Sequence, residues 1–144
     1  MKVLGVNAVF HDPAAALVVD GATIAAAEEE RFSRRKHGKS PVPFSTWELP
    51  EQAMAWCLAH AGIAPADLDA VAYSYDPELA PHPDGDITAS EWEGLRTLYA
   101  RRAPLFLQTV LPGLDADRVR WVPHHVAHAA SATFPSGFDP CLPR

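Results

Sequence analysis

Two runs of small and branched apolar residues, Ala14 to Val19 and Ala22 to Ala27, are separated by nothing but Asp20-Gly21. That pair tolerates the positive φ that a two-residue hairpin turn demands, so the runs read as adjacent antiparallel strands. The unbroken apolarity of Ala14 to Val19 predicts a strand covered on both faces. Val3, Leu4 and Val6 form a further short strand ahead of it. The link His11-Asp12-Pro13 is then where the chain reverses, which places its side chains at a sheet end, over any cleft. The charged segment from Glu28 to Lys39 is expected outside the core, since an isolated charge run is ordinarily a solvated face.

The rest of the chain alternates helix and strand signals. Pro50-Glu51-Gln52 opens a helix with a favoured first-turn residue and an acid near the positive dipole end. Met54, Cys57, Leu58 and Ala61 recur at helical spacing as its core stripe, and Gly62 stops it. Val71, Tyr73 and Tyr75 alternate in a strand. Asp76 to Ile87 is a Pro- and Asp-rich loop, and Thr88-Ala89-Ser90-Glu91 has capping-box spacing for a second helix carrying Trp92, Leu95 and Tyr99. Pro104 is expected to interrupt that helix, leaving Leu105 to Leu111 as another short one. Val119 to Val122 is a last strand, followed by Pro123 and an Ala-rich helix.

That last helix opens with His124-His125-Val126-Ala127-His128. In a helix His124 and His128 stand one turn apart on one face, near enough to share a metal ion, while His125 points about 100° away. A capping or surface pair is the plainer alternative at this spacing. The position favours a ligand, because it joins a strand's carboxyl end to a helix's amino end, where ligands gather in α/β sheets.

Three stretches together resemble the carbamoyltransferase family that includes nodulation-factor and antibiotic O-carbamoyltransferases. They are Gly5-Val6-Asn7-Ala8-Val9-Phe10-His11-Asp12-Pro13-Ala14-Ala15-Ala16-Leu17, the run Glu28-Glu29-Glu30-Arg31-Phe32-Ser33-Arg34-Arg35-Lys36-His37, and His124-His125-Val126-Ala127-His128-Ala129-Ala130-Ser131-Ala132. Pro13 departs from the pattern, which has a small hydroxyl residue there; it removes a hydroxyl contact beside His11 and stiffens the turn.

The resemblance implies an α/β fold: one lobe of an actin-like ATPase, a ribonuclease-H-like unit with a mixed sheet flanked by helices. Residues 1–144 would form that N-terminal lobe, truncated, without the second lobe or the carbamoyl-phosphate-activating domain. It implies that His124 and His128 bind an active-site divalent metal, iron in this family. The third ligand would be a carboxylate from the following strand, and Asp139 falls too close after the histidines to be its equivalent. The implied reaction joins carbamoyl phosphate and ATP into carbamoyl-adenylate, then passes the carbamoyl group to a hydroxyl of a sugar, aminoglycoside or other small molecule.

A neutral alcohol needs a base to take its proton near neutral pH. His11 is the candidate, with Asp12 as the neighbour that orients it. Lys36 and Arg31 are candidates for steadying the adenylate phosphate, since both donate and neither accepts.

Composition narrows the alternatives. A net charge of −6, from 12 basic and 18 acidic side chains, speaks against a general nucleic-acid grip. It also weighs against the rival enzyme class with the same fold and an HxxxH pair, the tRNA threonylcarbamoyladenosine enzymes. The other rival is an interaction lobe with no activity of its own. Cys57 and Cys141 have neither metal nor disulfide spacing and read as free thiols in a reducing cytosol. No run reaches the length of a membrane helix and no leader is evident, which predicts a cytoplasmic protein.

Overall fold

The computed structural model describes residues 1–38, 44, 46–80 and 87–136. The strands β1 (Lys2–Asn7), β2 (Ala14–Val19) and β3 (Ala22–Glu28) form an antiparallel meander, with Val19 paired to Ala22 across the turn. Asp20 and Gly21 hold φ values of 49° and 84°, the positive pair that the sequence requires. On the other side of β1, β4 (Ala70–Tyr73) and β5 (Val119–Trp121) join in parallel, which gives a mixed sheet of order β3-β2-β1-β4-β5. Parallel pairing needs crossovers, and the helices α2 (Glu51–Ala61) and α3 (Ile87–Val110) supply them.

Strand alternation sorts the sheet into two unequal faces. Leu4, Val6, Ala15, Leu17, Val71 and Tyr73 point to one face and are buried with Ala53, Met54, Cys57 and Leu58 of α2 and Tyr99, Ala100, Ala103 and Leu107 of α3. The other face carries Gly5, Ala14, Ala16, Ala26 and Ala72, the floor of an open groove of about 1010 Å³. Helix α4 (His124–Thr133) borders that groove with Ala127, Ala130 and Ser131. Full cover of β2 on both faces is therefore not found among the described residues: Ala14, Ala16 and Val18 are only half-buried. The run is apolar throughout, but its large side chain Leu17 faces the core and mostly small ones face the groove.

The charged segment after β3 corrects the expectation that it lies wholly outside the core. Glu29 is 7% exposed, and its carboxylate accepts the backbone N–H of Gln52 at 3.3 Å, the side-chain amide of Gln52 at 3.2 Å and the N–H of Ala53 at 2.9 Å. The first-turn donors of a helix have no partner within it, and α2 begins after Pro50, whose side chain cannot cap. An acid at the end of β3 does that work from outside. The remainder, α1 (Glu30–Ser33) and the turn Lys36–Gly38, lies at the surface, with Glu30, Phe32 and Ser33 half-buried. Gly62 ends α2 in the left-handed region, as its position predicts.

Pro104 does not divide α3, which runs unbroken through 24 residues. Proline has no N–H for the carbonyl four residues back, that of Ala100. The indole Nε1–H of Trp121 donates to that carbonyl at 3.2 Å, so a residue of β5 restores the bond that the helix lacks. Trp121→Phe removes the donor and leaves the carbonyl of the buried Ala100 without it. We expect a loss of about 1 kcal/mol in urea unfolding; an unchanged midpoint would show that the indole contact is idle.

Strand β4 is shorter than the alternation of Val71, Tyr73 and Tyr75 implies. It ends at Tyr73, and Tyr75 leaves the sheet to stack on Phe10, ring centroids 3.9 Å apart. Within the Asp76 to Ile87 loop, Pro77–Leu79 form a turn capped by the Asp76 carboxylate, which accepts from Glu78 N–H. Helix α3 already includes Thr88, so that residue is not its cap. The calls on Asp139 and Cys141 fall outside the described residues. Cys57 is a buried free thiol whose pKa burial pushes up. Among the described residues no helix is long and apolar enough to cross a membrane.

Candidate metal centre

The site forms at the carboxyl end of β1 and the parallel strands beside it. Beyond β1 the chain makes a tight turn at Val9, whose φ of 74° lies in a region that branched side chains rarely adopt. Phe10 N–H donates back to the Ala8 carbonyl at 2.9 Å, a three-residue γ-turn. The same carbonyl accepts the hydroxyl of fully buried Tyr73 at 3.1 Å. The Phe10 ring is fixed on Tyr75, so the next residue, His11, is carried across the sheet end toward α4.

There it meets the two histidines of α4. Nε2 of His11 lies 3.0 Å from Nε2 of His124 and 3.1 Å from Nε2 of His128, and the latter two are 3.1 Å apart. His125, next to His124 in the chain, stands outside this group. The helical-facing expectation for His124 and His128 thus matches the geometry, and His11 completes a triangle that sequence spacing alone does not reveal.

Proton positions decide what such a triangle can do. Nδ1 of His124 lies 3.1 Å from the carbonyl oxygen of Ser74. A carbonyl only accepts, so Nδ1 carries the proton and the neutral ring turns an Nε2 lone pair into the triangle. Three nitrogens about 2.0–2.1 Å from one first-row ion, at roughly right angles, stand about 3 Å from each other. The residues present therefore fit a divalent transition metal, for which imidazole is a favoured ligand.

Two residues that the sequence reading did not single out tie the triangle together. Asn7 donates its side-chain amide to the Asp12 carbonyl at 2.9 Å and accepts the Ser74 hydroxyl at 2.6 Å. Ser74 in turn orients His124 through its carbonyl. The loop bearing His11 and the helix bearing His124 are thus joined through the ends of β1 and β4. Asn7 sits within the Gly5 to Leu17 motif; Ser74 offers only its place after a strand, a weak signal.

Asp12 does not orient His11 by any described contact; its carboxylate pairs with Nδ1 of His37 at 3.1 Å. Arg31 borders the groove beside α4, and Lys36 lies in the short turn that carries His37. No described contact links either cation to the histidine triangle.

The chain is 36% identical to an uncharacterized protein of Synechocystis sp. over 154 aligned residues, which cover 95% of this chain and 24% of that protein. It is 35% identical to the nodulation protein NolNO of Sinorhizobium fredii, covering 94% of this chain and 19% of the relative. An uncharacterized 19.2 kDa protein of Rhizobium etli is 30% identical, with 96% of this chain and 80% of that protein aligned. The chain thus spans about a quarter or less of the first two relatives. Residues 2–83 match the family described as carbamoyltransferase N-terminus, a span that holds β1 to β4, the γ-turn and His11; the chain belongs to the carbamoyltransferase N-terminus family.

Proposed function

We propose that this chain is the metal-binding N-terminal lobe of an O-carbamoyltransferase. The observation that carries the reading is the convergence of His11, His124 and His128 in a chain of this family. The whole enzyme would join carbamoyl phosphate to ATP as carbamoyl-adenylate and pass the carbamoyl group to a hydroxyl of a sugar, aminoglycoside or other small acceptor. The strand order β3-β2-β1-β4-β5, with β2 alone antiparallel to both its neighbours, supports a ribonuclease-H-like lobe of the actin-like ATPase kind. A second lobe would complete the nucleotide cleft, and the site would work in the cytosol.

His11, His124 and His128 would hold the metal, iron in this reading. When bound it supplies a Lewis acid, a positive charge beside the phosphate or carbamoyl oxygen where negative charge develops. The chain's own residues do the rest. Ser74 fixes the tautomer of His124, and Asn7 holds the His11 loop at its working distance. Lys36 and Arg31 are proposed to steady the adenylate phosphate from the segment after β3.

The test is radiolabelled carbamoyl transfer by the complete gene product, supplied with ferrous iron, ATP, carbamoyl phosphate and a panel of polyhydroxylated acceptors. We expect acceptor labelling that needs all three small molecules, and none from the 144-residue chain alone. Labelling that proceeds without ATP would contradict the adenylate route. No labelling of any hydroxyl acceptor would sink the assignment.

A further inference from the structure

We propose that the open groove on the Ala-lined face of the sheet is the seat of an apolar helix face, supplied by a part of the longer polypeptide outside residues 1–144. The floor of the groove, Gly5, Ala14, Ala16, Ala26 and Ala72, crosses β1 to β4 with no side chain larger than a methyl group. Ala127 and Ala130 of α4 continue this surface up one wall. A floor so flat lets another backbone come close. Helices α2 and α3 leave it bare, because both bury their side chains against the opposite face.

The chemistry of the lining speaks for a protein surface over a small polar ligand. Ligand sites place a few free polar groups in an apolar pocket to fix orientation. Here the floor offers none, and the polar side chains at its border are engaged or peripheral. Asn7 bonds the Asp12 carbonyl and the Ser74 hydroxyl, and Ser131 donates to the His128 carbonyl at 2.8 Å. Glu28 and Arg31 are exposed, at and just past the end of the edge strand β3. None of the three triangle histidines lines the groove. An exposed apolar patch of this kind marks a contact surface.

Two observations point to a helix. The strands β1, β4 and β5 are parallel, and sheets with parallel strands carry helices on both faces. Helix α4 has ten residues and buries none of them, although helices this short draw their stability from a packed face. A helix in the groove would rest on the sheet and on Ala127 and Ala130 together. It would thereby fix the element that carries His124 and His128. Strands of six residues, such as β1 and β2, run about 20 Å, which about 13 helical residues match.

The relatives indicate where that helix comes from. The aligned stretch is 24% of the Synechocystis protein and 19% of NolNO, so most of each polypeptide lies outside it. A segment tethered to the lobe meets the groove at an effective concentration on the order of millimolar, an advantage that a second copy lacks.

Two readouts on the complete gene product test the assignment. Ala16→Cys places a thiol on the floor, and Ala59→Cys places one on the exposed side of α2. We expect native maleimide labelling, mapped by mass spectrometry, to be at least ~100-fold slower at position 16 than at position 59, since it must await local opening. Buried Cys57 must stay unlabelled in both variants, which shows that they are folded. Equal rates at 16 and 59 would overturn the proposal. Trp56, 41% exposed at the groove's end, is then exchanged for p-benzoylphenylalanine and irradiated. The expected product has monomer mass and joins position 56 to a peptide outside residues 1–144. A cross-link within residues 1–144, one at dimer mass, or none at all would each defeat it. Neither readout involves carbamoyl transfer, so this inference and the functional reading fail separately.

Discussion

Replacing His124 or His128 with Ala is expected to strip the chain of bound divalent metal, and His11→Ala should do the same. Each removes one of three nitrogens that now stand 3.0–3.1 Å apart, and the two left cannot enclose an ion. Affinity for ferrous or zinc ion, read by calorimetry and by metal content after dialysis, should fall by more than the ~10–100-fold that losing an orienting partner costs. Asn7→Ala, which loosens the His11 loop without touching a nitrogen donor, should fall inside that smaller range. His125→Ala is the control. Its ring lies 5.8 Å from that of His124, outside the triangle, and metal content should not change. Equal losses from His124, His125 and His128 would show that the helix does not present the face described, and retention of metal by His11→Ala would remove the third ligand.

The sequence carried the sheet hairpin, the helix from Glu51 to Ala61 with its stop at Gly62, and the pairing of His124 with His128, because each depends on local rules: a two-residue turn, a 3.6-residue period, a one-turn separation. What it could not carry depends on contacts between distant residues. Nothing near Pro104 says that an indole from β5 takes the carbonyl it leaves open, so the expected break in α3 does not occur. His11 and His124 lie 113 positions apart, and only the crossover that brings β5 beside β4 sets their loops at one sheet end. The γ-turn at Val9 is equally hidden, since a branched residue is the last choice on propensity for a positive φ. Asp12 stands at the sheet end, as the chain reversal between β1 and β2 implies, but its carboxylate meets His37 from the charged run after β3, a partner that sequence proximity to His11 obscures.

Glu29 makes the strongest structural claim on that charged run. Glu29→Ala should destabilise the chain by about 3 kcal/mol, because hydrogen bonds to a charged group are worth about 1.5–3 kcal/mol and the buried N–H of Ala53 loses its acceptor. The negative charge also faces the positive end of α2, whose own preceding residue, Pro50, offers no side-chain cap. Urea unfolding gives the size of the effect, and amide exchange gives its place: protection should vanish first at Gln52 and Ala53. Glu29→Gln retains one oxygen acceptor and should cost less. The charge itself is read through Glu51, whose pKa is raised by burial first and by the Glu29 charge second. A raised carboxyl pKa means the native state holds that proton more tightly than the unfolded chain does. The contribution of Glu51 is therefore greatest below its ordinary value and falls as pH rises through the raised one. In Glu29→Gln this fall should be shallower. A Glu29→Ala variant within about 0.5 kcal/mol of the parent, the range of ordinary surface changes, would show that α2 is held by its packed face alone.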